Sequence, residues 1–245
     1  MKAMIFAAGV GTRLQPLSLQ TPKALVEVGN KPMLQLVAEK LVAAGATTLV
    51  INIHHHPEQM LRFIQSMHFS NVEIFVSDET NELLDTGGGL LNATPLLQGS
   101  DPIILYNADV LSDINLPEML AFHKKHSPLA TLAVSHRPTN RAFLWENNQL
   151  VGWENRATGE KIYCKTPTPS ELISLAFSGI HIVQPNLPNL IAEKGVFSIT
   201  PVYLRLALNH CIMPFVHSHD LWADIGSMEK LEKAKIMFSH NPKAF

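Results

Sequence analysis

The stretch Ala3-Met4-Ile5-Phe6-Ala7-Ala8, running straight into Gly9-Val10-Gly11-Thr12-Arg13, decides the fold. Six apolar residues that stop at glycines are too few for a stable helix and enough for a buried strand. Working outward, Met33 to Ala44 places Leu34, Val37, Leu41 and Ala44 on one helical face, and Gly45 supplies the stop. Leu49 to Ile53 reads as the next strand. Pro57 then opens a helix carrying Met60, Phe63, Ile64 and Met67. Val72 to Val76 is a third strand, Gly88 to Leu97 a helix, and Pro102 to Tyr106 a fourth strand apolar on both faces.

Strands alternating with helices at this spacing predict an α/β fold: a Rossmann-like, mostly parallel sheet with right-handed crossovers and helices on both faces. Ligands bind such sheets beyond the carboxyl ends of the strands. That points to Gly9–Arg13, His54–His56, Asp78–Glu79 and Asn107–Asp109. After residue 130 the pattern turns β-rich. Ala130 to His136 and Ala142 to Trp153 read as strands, with a hairpin turn at Asn147-Asn148. Arg156 to Pro169 reads as a polar loop, Leu175 to Val183 as a strand, and Ile199 to Asn209 and Ser227 to Phe238 as helices. No repeat, linker or low-complexity tract interrupts the chain. We read residues 1–245 as a single domain, about 1–130 forming one half and about 131–245 the other.

Composition limits the function classes. The chain has 245 residues, 46% hydrophobic and 16% charged, which excludes a disordered protein. A net charge of -2 without a basic stripe argues against nucleic-acid binding. Two cysteines, Cys164 and Cys211, make neither a disulfide framework nor a zinc ribbon. The apolar run at the N-terminus is too short for a signal peptide, and no stretch suits a membrane span. The expectation is a soluble, cytoplasmic chain without a membrane partner. A homodimer is one assembly the sequence leaves open.

Glycines after a strand let backbone N–H groups approach phosphate oxygens. Arg13 adds a planar fork and Lys23 a mobile point charge. A dinucleotide fingerprint would need a third glycine where Leu14 stands, and an acidic residue where the second strand runs into His54-His55-His56. A P-loop would need Gly-Lys-Ser/Thr, which is absent. A purely structural turn leaves Arg13 and Lys23 unexplained.

The longer run Gly9-x-Gly11-Thr12-Arg13-Leu14-x-Pro16-Leu17, followed by Thr21-Pro22-Lys23-Ala24-Leu25-Val26, resembles the sugar-nucleotidyltransferases. The resemblance extends to Leu84-Asp85-Thr86-Gly87-Gly88-Gly89, to Ala176-Phe177-Ser178-Gly179-Ile180 and to Trp222-Ala223-Asp224-Ile225-Gly226-Ser227. It implies the nucleotide-diphospho-sugar transferase type of fold, with a nucleotide-binding first half and a sugar-binding second half. It implies nucleotide contacts at Ala8, Gly9, Gly11, Thr12, Arg13, Lys23, Thr86, Gly87, Gly88 and Asn107, with Arg13 and Lys23 catalytic. Gly179 and Glu154 fall on the sugar side. Asp109 and Asp224 fall on the positions that hold Mg²⁺. Many relatives append a β-helix domain, for which this sequence leaves no room. The nearest subgroups are N-acetylmuramate 1-phosphate uridylyltransferases and proteins like mannose-1-phosphate guanylyltransferase.

The chemistry suits those residue types. A sugar phosphate and a triphosphate are both anions, and carboxylate-held Mg²⁺ lowers their repulsion. Two departures stand out. Ala108-Asp109 replaces a Gly-Asp pair, and Val151 to Arg156 lacks the lysine that grips the sugar phosphate in many relatives; Arg156, Lys161 and Lys165 are the candidate substitutes.

Other features read as structural. Consecutive histidines on a strand point to opposite faces, so His54 to His56 make a poor metal site. Asp78, Glu79 and Glu82 have no proton to abstract when the nucleophile is already an anion. His217-Ser218-His219-Asp220 lacks a nucleophile elbow. The expected activity is nucleotidyl transfer from a nucleoside triphosphate, with UTP favoured, to N-acetylmuramate 1-phosphate or another hexose 1-phosphate. Guanylyl transfer to mannose 1-phosphate and a silent nucleotide-sugar sensor are the alternatives.

Overall fold

The computed structural model describes residues 1–168 and 172–242. Strand β1 (Lys2–Phe6) runs into the glycine loop and short 3-10 turns, then a small hairpin of β2 (Glu27–Val28) and β3 (Lys31–Pro32). Next come α1 (Met33–Ala43), β4 (Thr48–Ile53), α2 (Pro57–Ser66), β5 (Glu73–Asp78), α3 (Asp85–Leu97) and β6 (Ile103–Asn107). Then β7 (Val110–Ser112), α4 (Leu116–His126) and β8 (Ala130–Ser135) lead to a hairpin of β9 (Arg141–Glu146) and β10 (Gln149–Asn155). The chain continues through β11 (Glu160–Tyr163), β12 (Ile173–Val183), α5 (Ile199–Leu206), β13 (Ile212–Val216), β14 (Trp222–Asp224) and α6 (Met228–His240).

The main sheet runs β11-β10-β9-β12-β6-β1-β4-β5, with β8 paired to both β12 and β13. Its first-half strands, β5, β4, β1 and β6, are parallel. Strand β12 is antiparallel to β6 and carries the antiparallel β9, β10 and β11. From β1 the chain steps outward through β4 to β5, then returns to β6 on the other side of β1. The carboxyl ends of β1 and β6 therefore flank the topological switch point, where an open α/β sheet presents a crevice.

Alternation along β1 builds the two cores. Ala3 and Ile5 pack with Leu34, Val37 and Leu41 of α1, while Met4 packs with Leu90, Ala93 and Leu97 of α3. Helices thus cover both faces of the parallel portion, as the fully buried β4 requires.

Several boundaries differ from the sequence reading. Helix α3 begins at Asp85, three residues before the expected Gly88, which puts Gly87 inside it as well. The polar loop after Arg156 contains β11, whose four residues are all exposed and so lack an apolar alternation. Pro169, the expected end of that loop, lies outside the described residues. The Asn147-Asn148 turn stands as read, with φ of 50° and 58°, as a two-residue hairpin loop demands. Among the described residues no helix is long and apolar enough to cross a membrane.

Candidate active site

The glycine loop is fixed from beneath by polar residues at the ends of β4 and β5. Asn52 Oδ1 accepts from Ala7 N at 2.6 Å and Ala8 N at 3.3 Å. Asn52 Nδ2 donates to Glu79 Oε1 at 2.8 Å, and Glu79 Oε2 accepts from Leu84 N at 3.2 Å. Burial pushes the Glu79 carboxyl above its ordinary range. Gly11 takes φ +68°, the left-handed conformation that suits glycine, and a Cβ there would stand 3.1 Å from Lys23 Cβ. The turn therefore keeps the Lys23 stem beside the loop.

Two clefts open at the switch point. The first, about 360 Å³, is lined by Phe6 to Gly9, Lys23, Ala24, Asn52, Glu79, Leu83, Asp85, Thr86, Asn107 to Asp109 and Val196. The second, about 690 Å³, includes Arg13, Arg137, Arg141, Trp153, Phe177 to Gly179, Trp222, Asp224 and Lys230. Both contain Asn107 and Asp109, so the two clefts meet at the end of β6.

A short ribbon brings the distant aspartates together. Strand β14 pairs antiparallel with β7, Asp224 opposite Val110. Ile225 N donates to the Asp109 carbonyl at 2.9 Å. Asp113 closes the same ribbon by accepting from Leu221 N at 2.7 Å. Beneath it, Leu14 of the glycine loop, Leu111 of β7, Ile225 and Leu231 of α6 share one apolar cluster. Burying these side chains together ties the loop, both aspartates and the last helix into one unit.

Each carboxylate is answered by a lysine. Lys23 Nζ donates to Asp109 Oδ2, and Lys230 Nζ donates to Asp224 Oδ2 at 2.6 Å. Asp224 Oδ1 also accepts from Gly226 N at 3.0 Å. A Cβ on Gly226 would lie 2.7 Å from Asp224 Oδ1 and 3.2 Å from Arg13 Nη2, so the missing side chain leaves room for both groups.

Of the residues expected from the sequence, Ala8, Gly9, Lys23, Thr86, Asn107 and Asp109 line the first cleft. Arg13, Gly179 and Asp224 line the second. Gly11 and Thr12 shape the turn but line neither. Gly179 sits at φ +75° with Asn107 Nδ2 2.8 Å from where its Cβ would be, so glycine lets β12 approach β6 closely.

Two expectations change. Gly87 and Gly88 do not border either cleft: both N–H groups donate to Phe197 O, at 2.9 and 3.2 Å. A Cβ on Gly87 would strike the Phe197 ring, and one on Gly88 would lie 2.5 Å from Gly195 O. Their lack of side chains admits the 195–197 segment. Glu154 also borders neither cleft. Strand alternation aims Trp153 and its partner Ile162 into the second cleft, and Glu154 with Lys161 to the other face. There Glu154 binds Arg156, Lys161 and Ser174. Lys165 bonds Gln149 Oε1 at 3.3 Å. None of the three candidate substitutes for the absent lysine reaches the second cleft. The residues that sequence reasoning passed over are Arg137, Arg141 and Lys230. Arg137 follows β8 in a polar turn that carries no apolar periodicity to mark it.

The histidine run behaves as a strand-end brace. His54 Nδ1 bonds Glu79 O at 2.7 Å, while His55 and His56 Nε2 bond Ser18 O at 3.1 and 3.3 Å.

The sequence profile of the nucleotidyl transferase family matches residues 2–143. The chain belongs to the nucleotidyl transferase family. The chain is 42% identical over 211 residues to mannose-1-phosphate guanylyltransferase 1 of Arabidopsis thaliana, covering 81% of this chain and 58% of that protein. It is 41% identical over 232 residues to a mannose-1-phosphate guanyltransferase of Aspergillus oryzae, covering 92% and 61%. The chain thus spans about three-fifths of the length of these curated relatives. A putative glucose-1-phosphate thymidylyltransferase from Bacillus anthracis shares the fold, with TM-score 0.79 and 19% identity, covering 97% of this chain and 94% of that one.

The glycine geometry makes a prediction. Gly88→Val must displace the 195–197 backbone, and overpacking of this kind costs roughly 1–3 kcal/mol. Thermal unfolding should therefore fall by roughly 3–10 °C for a chain of this size. An unchanged melting temperature combined with weakened triphosphate binding would restore the direct nucleoside contact.

Proposed function

We propose that the chain transfers a nucleotidyl group from a nucleoside triphosphate to a sugar 1-phosphate and releases pyrophosphate. The carrying observation is the meeting of two clefts at Asn107 and Asp109, one holding the glycine loop and Lys23, the other Asp224 and the arginines. A sugar-phosphate oxygen bonds to the α-phosphorus while the bond to the β-phosphate oxygen breaks. No proton need be removed, so Lys23 beside Asp109 and Lys230 beside Asp224 need act only as charges.

The donor set suits Mg²⁺: two carboxylates on one ribbon, leaving other positions to phosphate oxygens and water. Bound there, the ion would lower the repulsion between the two anions and stabilise charge on the transferring phosphorus. Lys23 would serve the reacting phosphates, and Arg13, which lines the second cleft, would reach the triphosphate only where the two clefts meet. Asn52 and Glu79 hold the loop that would cradle it.

Sequence reasoning favours UTP and an N-acetylmuramate or other hexose 1-phosphate. The relatives favour GTP and mannose 1-phosphate, the pair we adopt. The sensor alternative gives no reason to keep both aspartates beside Lys23 and Arg13. Pyrophosphate release should be scored for the four ribonucleoside triphosphates and dTTP against a panel of sugar 1-phosphates with Mg²⁺. Turnover is expected, highest with GTP and mannose 1-phosphate. Highest turnover with UTP would return the base to the earlier expectation, and no release from any pair would overturn the enzymatic reading.

A further inference from the structure

We propose that Arg137 binds the phosphate of the incoming sugar 1-phosphate, supplying the cation that Arg156, Lys161 and Lys165 do not bring to the second cleft; this rests on the nucleotidyl-transfer reading above. Arg137 follows β8, and the preceding His136 N is pinned by Ser218 Oγ at 3.0 Å. Its guanidinium lies over the Trp222 ring, with Cζ 3.7 Å from the ring centre. Nη2 donates to Phe177 O. The Trp222 platform is itself fixed, because its Nε1 donates to Ser178 O at 2.9 Å. Trp222 and Asp224 alternate onto the same face of β14. The guanidinium is therefore presented on the side of Asp224, and both line the second cleft.

What Arg137 lacks among the described residues is an ion pair in contact; Asp224 attracts it from beyond that distance. It is half-buried, yet among the described residues no carboxylate lies within ion-pair distance of it. Its Nε is buried and, among the described residues, donates to nothing. A partly desolvated guanidinium without an ion pair in contact is costly unless an anion completes it. The other cations of the cleft are differently disposed. Lys230 already pairs with Asp224, Arg141 is exposed, and Arg13 extends from the glycine loop. A phosphate entering beside Asp224 meets Arg137 as a planar, always-charged fork suited to two of its oxygens.

The test is steady-state pyrophosphate release with the triphosphate and sugar 1-phosphate that support wild-type turnover. Arg137→Met keeps an unbranched stem on Trp222 and removes the charge. It should raise KM for the sugar 1-phosphate roughly 10- to 100-fold, the effect of losing a charge-assisted hydrogen bond. KM for the triphosphate should stay within roughly twofold, since that substrate meets other residues. Arg137→Lys should recover part of the loss. If Arg137→Met does not fold, Arg137→Lys carries the test, with a severalfold rise in KM confined to the sugar 1-phosphate. An unchanged KM for the sugar 1-phosphate, or equal rises for both substrates, would overturn the assignment while wild-type activity kept the proposed function standing. A wild type that releases no pyrophosphate with any pair would overturn both.

Discussion

Asp109→Asn and Asp224→Asn should each lower turnover by roughly a thousandfold, and the double variant should be little worse than either, because groups that act as a unit lose their effect together. The structure gives this prediction its physical footing. The aspartates lie far apart in sequence, yet β7 and β14 pair so that Ile225 N donates to the Asp109 carbonyl. Asparagine keeps the shape and can still accept from Gly226 N, so the ribbon should survive in the Asp224 variant. What is lost is the negative charge that a hard divalent cation requires. Turnover should be measured at saturating substrates across a Mg²⁺ titration, with Mn²⁺ binding to the protein followed separately by electron paramagnetic resonance. Additive losses, with the double variant falling by the product of the two, would mean the carboxylates act independently and share no ion.

The parallel half of the fold was legible because its strands are apolar runs that end at glycines, prolines or polar clusters. Ala3 to Ala8, Leu49 to Ile53 and Pro102 to Tyr106 each carry that signal. The ribbon was not legible: β7 and β14 have three residues each, too few to show a period, and only long-range pairing makes them strands. Strand β13 contains Pro214, which argues against a strand from sequence. It is tolerated because, among the described residues, β13 pairs with β8 alone and so lies at an edge. Helix α4 carried a usable signal in Asn115, whose side chain caps Glu118 N, with Pro117 in the first turn.

At the site, residues on the glycine loop and at strand ends were readable, since their chemistry and position coincide. Glu154 was misplaced because a motif resemblance fixes a residue's position along a strand but not its face. One register step separates Trp153, which reaches the cleft, from Glu154, which does not. Gly87 and Gly88 show the converse: glycine reports that something approaches closely, and here the neighbour is the protein's own 195–197 segment.

Lys23→Ala should lower turnover by roughly two to three orders of magnitude, the scale of removing one preorganised electrostatic donor from a transition state. Without substrates the ammonium is committed to Asp109. A triphosphate arriving in the first cleft brings more negative charge than that one carboxylate, so Lys23 can turn to a phosphate oxygen and leave Asp109 to a cation. In the proposed reaction the same lysine would offset Asp109 and then stabilise charge on the phosphates, a task that needs a compact charge on a flexible stem. Arginine at this position should not restore activity, because its planar head is bulkier and its fork favours a fixed bidentate contact. The stem also has little room: Gly11 would place a Cβ 3.1 Å from Lys23 Cβ, so the loop and the lysine already pack closely. The loss should appear in kcat at saturating triphosphate and sugar 1-phosphate, with a smaller change in triphosphate KM. Turnover within threefold of wild type would remove Lys23 from the mechanism and leave its bond to Asp109 as a structural contact alone.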